Sequence, residues 1–355
     1  MTDDDEYDDD VDHDDMMGDR MEISSPAGQE KVCKDSLDQM IMVEIWTYLS
    51  FFFWYRRISK WLLHYATGCC ELQRICNKTQ HGAARTKSIE ESLRSSRTKD
   101  ISELPNKLNV KIEEAVMLVM TKKKIDVGQE KMFYDAMCVC LNQICGYTEL
   151  FKIVEEDRQV KYSSDNESHE KKLMELWSNM MPNTKLEERV TKQWGEIGFQ
   201  DKDPMTDFRG MGILGLDNLL YFASKHTPAA RKVLSSSHHP HYGYSYAIVG
   251  INITGMAYRL MKTGALRTHF YNCKQGKPTM DDFNEVFCYL LFEFNSFWFS
   301  EKPESVMEFN RIRDKFEEKV TKILSADINI QLTLKYRDIS AAASLSSVTS
   351  LDTHF

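Results

Sequence analysis

The sequence predicts an all-α protein, a single multi-helix domain preceded by an aromatic amphipathic helix and flanked by disordered termini. Three observations predict it. From about residue 105 to 335 apolar residues recur at spacings of three and four, which is the period of a helix face. No region alternates apolar and polar residues at period two, and no internal repeat is visible. Residues 1–36, from TDDDEYDDDVDHDD to SSPAGQEK, hold too little apolar surface to offset the entropy of ordering.

Composition agrees. Of 355 residues 42% are hydrophobic and 28% charged, with 8 Pro and 16 Gly, which excludes collagen-like, Pro/Gly-rich and wholly disordered chains. The net charge of −9 is unevenly placed: residues 1–22 carry 12 Asp/Glu and one Arg, so this tail is −11 and the rest +2. The acidity of the whole therefore describes the tail.

The first element is an apolar, then basic, membrane-proximal segment over residues 41–76. It runs from Ile45 to Tyr55 through Trp46, Phe51, Phe52, Phe53 and Trp54, and is interrupted by Arg56 and Arg57 after 11 residues. A membrane-spanning helix needs about 20. Aromatic residues backed by cations suit a helix lying among lipid headgroups, and residues 56–100 carry ten Lys/Arg against four Asp/Glu. Cys69 and Cys70 just beyond it are placed where acylation would add a second anchor. The same run would also suit a core helix packed on the main domain.

A polar stretch follows at 77–104, then a helical lead-in over 105–144. Its stripe is Met132, Phe133, Ala136, Met137, Cys140, Leu141 and Ile144, and Gly146 stands in a helix-stop position. The main domain is expected over 145–308. Within it Thr184-Lys185-Leu186-Glu187 reads as a capping box opening a helix with Leu186, Val190 and Trp194 inward. Tyr246 to Ile253 is rich in β-branched residues, but its continuation through Met256, Ala257, Leu260 and Met261 favours a buried helix. The longest stripe, Phe283 to Trp298, is entered at Thr279 and stopped by Pro303. A last helix over 309–335 turns Phe309, Ile312, Phe316, Val320 and Ile323 inward, and 336–355 is a disordered tail.

Nine cysteines lie at 33, 69, 70, 76, 138, 140, 145, 273 and 288, with no CxxC pair and no Cys/His set at zinc spacing. They suit reduced thiols. The acidic first 40 residues lack the basic start of a secretory leader, so the protein is expected to face the cytosol. His238, His239 and His241 surround Pro240 where a turn before a helix is the expected role, and no metal site, cofactor or nucleic-acid partner is expected.

The most unusual passage is WGEIGFQDKDPMTDFRGMGILGL, residues 194–216, with five Gly, three Asp, one Pro and one Arg. Gly210 to Gly215 fits GxGxxG, but no hydrophobic strand precedes it and Ala229-Ala230-Arg231 stands where a dinucleotide site needs an acid. A P-loop is absent too, since Gly276-Lys277 is followed by Pro278. That leaves Arg209, whose planar five-donor cation suits phosphate oxygens, or which could pair with Asp207 or Asp203 to hold the loop.

The string WGEIGFQDKDPMTDFRGMGILGLDNLLYF resembles the signature of the ELMO domain in the form found in ELMO domain-containing proteins, closest to the shorter members. Further matches are Cys70 to Cys76, Ser92-Leu93-Arg94-Ser95-Ser96, Asp165-Asn166, His239-Pro240 with Gly243 to Asn252, and Pro278-Thr279-Met280, so that the resemblance covers about residues 42–335. It implies an ELMO fold and a GTPase-activating activity toward ARF-family small GTPases, ARF-like ones included, in their GTP-bound form. The arginine of the DFRG motif, Arg209 here, would be the catalytic group. Asp203, Thr206, Asp207, Gly210 and Gly212 would support the loop, and Gln200 and Phe208 would contact the partner. The resemblance also suggests cytosolic faces of the endoplasmic reticulum, lipid droplets or mitochondria. The alternative it leaves open is a non-catalytic scaffold or adaptor in small-GTPase signalling or membrane tethering.

Overall fold

In the computed structural model, the residues described are Met42, Phe51, Trp54, Tyr55, 58–273 and 275–336. The chain divides into two compact units, Met1–Cys69 and Cys70–Phe355. In the first, residues 58–67 are helical, with Trp61 stacked on Tyr65 at 6.0 Å and Nδ1 of His64 3.0 Å from the Cys69 carbonyl. Phe51, Trp54, Trp61 and Tyr65 are exposed. Trp46, Phe52, Phe53, Arg56 and Arg57, the acidic tail and the Ser-rich end lie outside the described residues. No helix among the described residues is long and apolar enough to cross a membrane.

The second unit is built from helices, and its described residues include no strand. In chain order these are α1 (Glu71–Lys78), α2 (Ala83–Arg94), α3 (Lys99–Ser102), α4 (Ile112–Lys123), α5 (Lys131–Gln159) and α6 (Glu167–Met180). Then come α7 (Gly212–Lys225), α8 (Thr227–Ser237), α9 (Tyr246–Lys262), α10 (Arg267–Cys273), α11 (Met280–Glu301) and α12 (Phe309–Ala326). Helix α7 is central, touching α5, α6, α8, α9 and α11, and Leu214, Leu216, Leu219 and Phe222 on it are fully buried. Helix α11 matches its predicted stripe. Thr279 and Asp282 close a capping box at its start, and Phe283, Phe287, Leu290, Leu291, Phe294 and Trp298 are fully buried.

Several local expectations are corrected. Gly146 does not stop a helix, because α5 runs on to Gln159. A Cβ there would lie 2.7 Å from both Lys277 Cγ and Pro278 Cδ, so the glycine admits a neighbouring segment. At the start of α5 Met132 is exposed instead of inward. Thr184 opens no helix: its carbonyl accepts the Trp177 indole N–H at 2.8 Å, and the Gln193 side chain binds the Glu187 N–H and the Lys185 carbonyl. With its backbone groups satisfied this way, the segment needs no helical turn, and Val190 is exposed while Trp194 is buried on the 3₁₀ turn Lys192–Ile197. The polar stretch at 77–104 contains α2, which buries Ile89 and Leu93. The last helix ends at Ala326 with Leu324, not Ile323, fully inward. Beyond it an irregular strap is held by Asn272, whose amide donates to the Ile328 carbonyl at 2.8 Å.

Candidate functional site

The unusual passage forms two short 3₁₀ turns, Lys192–Ile197 and Pro204–Arg209, and leads directly into α7. It is anchored by rings. Phe208 stacks on Tyr162 at 5.3 Å and meets Phe199 edge-on at 5.5 Å, while Trp194 meets Phe199 at 5.8 Å and Trp177 at 5.4 Å. Such pairs add about 0.5–1.5 kcal/mol each beyond the area they bury. Phe208, expected as a partner contact, is 1% exposed and belongs to this core.

Two glycines fix the ends. Gly198 has φ +83 and a Cβ there would lie 2.3 Å from the Tyr246 nitrogen. Gly212 has φ +56 and a Cβ would lie 2.4 Å from the carbonyl oxygens of both Arg158 and Val160. Side chains are disfavoured at both, by backbone angle and by space. Ile213 donates its N–H to the Val160 carbonyl at 2.8 Å, so the start of α7 is pinned to the chain after α5. At Gly210, by contrast, a Cβ would meet nothing within 4 Å, and the residue is exposed, leaving open space beside Arg209.

The aspartates of the loop are spoken for. Asp203 caps the turn by accepting the Met205 N–H at 3.0 Å and pairs with Arg189 at 3.1 Å. Asp207 accepts the Gln200 N–H at 3.0 Å. Burial pushes the Asp207 carboxyl above its ordinary range, reinforced by the charge of Asp201 and opposed by the Gln200 N–H and by Arg209. Thr206 donates its hydroxyl to Asp201 at 3.3 Å, and Gln200 is exposed.

Arg209 stands at the end of the turn, exposed. Its Nε donates to the Thr206 carbonyl at 2.8 Å, which sets the direction of the guanidinium. It forms no ion pair within 4 Å with Asp203, Asp207 or any other described carboxylate. Lys161, Tyr162, Met205, Thr206, Phe208 and Arg209 line a hollow of about 440 Å³. An oriented guanidinium with free terminal nitrogens beside an apolar hollow can donate a fork of hydrogen bonds to an anion brought by a partner.

Three participants carry no sequence signal. Tyr162, Glu170 and Arg189 meet beneath the loop, and nothing in their spacing announces it. Around Pro240, His239 Nδ1 accepts the N–H groups of His241 and Tyr242 at 3.2 and 3.1 Å, and His238 donates to the Glu196 carbonyl at 2.9 Å. Among the described residues no group of three or more His, Cys, Asp or Glu could hold a metal ion.

Comparison with known proteins bears on this passage. A family model described as the ELMO/CED-12 family matches residues 152–313. ELMO domain-containing protein 2 of Homo sapiens is 48% identical over 295 residues, 83% of this chain and 100% of its own. ELMO domain-containing protein 1 of Homo sapiens is 44% identical over 316 residues, 82% of this chain and 94% of its own. ELMO domain-containing protein B of Dictyostelium discoideum is 34% identical over 276 residues, 76% of this chain and 94% of its own. No solved structure matches the chain.

Proposed function

Since this chain belongs to the ELMO domain-containing family, we propose that it is a GTPase-activating protein for ARF-family small GTPases, ARF-like ones included, and that Arg209 is the arginine it supplies in trans. The observation that carries the reading is the state of Arg209. The bland role for this residue is an ion pair holding its own loop. Asp203 is instead paired with Arg189 and Asp207 with a backbone N–H, while Arg209 is oriented through Nε alone.

The chemistry fits. In GTP hydrolysis charge develops on the phosphoryl oxygens, and an arginine delivered to them is worth about 10³–10⁵ in rate. The partner GTPase would bring the phosphate-binding loop, Mg²⁺ and the residue that orients water. This chain would bring one charge on a rigid mount, and that rigidity lowers the cost of aiming it.

The same reading places the work at a membrane surface, at cytosolic faces of the endoplasmic reticulum, lipid droplets or mitochondria. The segment 41–76 would provide peripheral contact through Trp46, Phe51, Phe52, Phe53, Trp54, Arg56 and Arg57. What supports this is the aromatic and basic composition, together with the exposure of Phe51 and Trp54.

A panel of GTP-loaded ARF and ARF-like proteins, with hydrolysis followed with and without the full chain, tests the assignment. Stimulation of at least one member is the expected result. Binding to GTP-loaded members without stimulation of any would point to a scaffold and set the catalytic reading aside.

A further inference from the structure

Arg189 belongs to no motif in the sequence, yet three segments around the loop meet on it. Its Nε is paired with Glu170 on α6. One terminal nitrogen lies 3.1 Å from Asp203 Oδ1, and the other donates to the Tyr162 hydroxyl at 3.3 Å. The Tyr162 hydroxyl in turn donates to Glu170. Even the main chain takes part, for the Arg189 carbonyl accepts the Trp194 indole N–H at 2.9 Å. Burial disfavours the charged carboxylate of Glu170, but its hydrogen bonds from Arg189 and Tyr162 hold its pKa below the ordinary range.

Each contact leads to the loop. Asp203 is the cap of the 3₁₀ turn whose last residue is Arg209, and Tyr162 is the ring on which Phe208, the residue before Arg209, is stacked. One guanidinium therefore holds both the entrance of the turn and the floor beneath its exit. Side chains of Arg189, Glu170 and Asp203 are 25%, 23% and 33% exposed, a depth at which such pairs are screened less than on an open surface.

We propose that Arg189 is a positioning residue for Arg209, clamping the loop so that the catalytic guanidinium is presented in one orientation. The inference rests on the reading of Arg209 given above. A guanidinium suits the task because its fork meets two carboxylates and a phenol at once, whereas a lysine ammonium is a single point charge. Displacement of a reacting group by about 1 Å can cost a hundredfold in rate.

Two measurements on the full chain test it. Limited trypsin digestion reads the loop without any partner, since the exposed bond after Arg209 is a cleavage site. Arg189→Leu is expected to speed cleavage after Arg209 by about tenfold while other sites keep their rates. In hydrolysis assays the same variant is expected to lose about tenfold to a hundredfold in maximal stimulation at an unchanged half-saturating concentration, with Arg189→Lys in between. Unchanged cleavage after Arg209, or faster cleavage at every site with a lowered melting temperature, would overturn the proposal. Selective cleavage combined with wild-type protein that stimulates no GTPase would uphold the clamp and count against the GTPase reading alone.

Discussion

At the residue scale, what distinguishes Arg209 is that its neighbours have been given other partners. Asp203 goes to Arg189, Asp207 to the Gln200 N–H, and Thr206 offers a carbonyl that aims the guanidinium without neutralising it. A second residue shows how burial alone sets a titration. His269 is 4% exposed and its Nδ1 accepts the Leu332 N–H at 2.9 Å, so burial lowers its pKa from 6.5 to about 4. The folded state then binds fewer protons than the unfolded chain between those values. Stability is full above the unfolded value and is lost as pH falls toward the folded one, by about 3 kcal/mol in all. Urea titrations from about pH 7 to 4 should show this slope, and His269→Asn should flatten it. The arginine in the DFRG string was legible because flanking residues form a long, dispersed resemblance. Arg189 was not, because its partners Glu170 and Tyr162 stand 19 and 27 positions away in the chain and no periodicity links them.

At the element scale, helices with a strong stripe and a local cap were legible, and those decided by a distant partner were not. Helix α11 combines the Thr279–Asp282 box with a face that is buried over its whole length, so local and tertiary preferences agree. Gly146 shows the opposite case. Read locally it ends a helix, but in the fold it lies inside α5 where Lys277 and Pro278 come close, and Lys277 is paired with Glu149 one turn on. Gly146→Ala should gain about 1 kcal/mol of helix propensity and lose more by displacing the 277–278 segment, for a net loss of about 1–2 kcal/mol. Thermal denaturation decides it, and a raised melting temperature would show that the segment moves aside freely. The Thr184 box failed for a similar reason, since Trp177 and Gln193 take up the backbone groups that a helix would have used.

At the scale of the whole molecule, the second unit packs its helices around α7, and Phe51, Trp54, Trp61 and Tyr65 of the first unit are exposed. The loop that ends in Arg209 is the direct extension of α7, the helix touching five others, so movement of the loop's exit would have to disturb the core. Helix propensity and stripe spacing revealed the all-α class, but the packing order around α7 depends on long-range contacts that spacing does not encode. For the first unit, deletion of residues 41–65 should release the protein from sedimenting anionic vesicles, because both the apolar and the cationic contributions to binding are removed. Unchanged pelleting would transfer membrane contact to another surface. The measurement that bears most directly on the central claim is single-turnover GTP hydrolysis by the responsive GTPase with wild-type chain and with Arg209→Lys, alongside binding of both to the GTP-loaded partner. Lysine keeps the charge and loses the planar fork, so stimulation should fall by about 10³-fold or more while binding stays within about twofold, the range expected of a surface substitution. Full stimulation by the Arg209→Lys variant would contradict the assignment of the catalytic arginine.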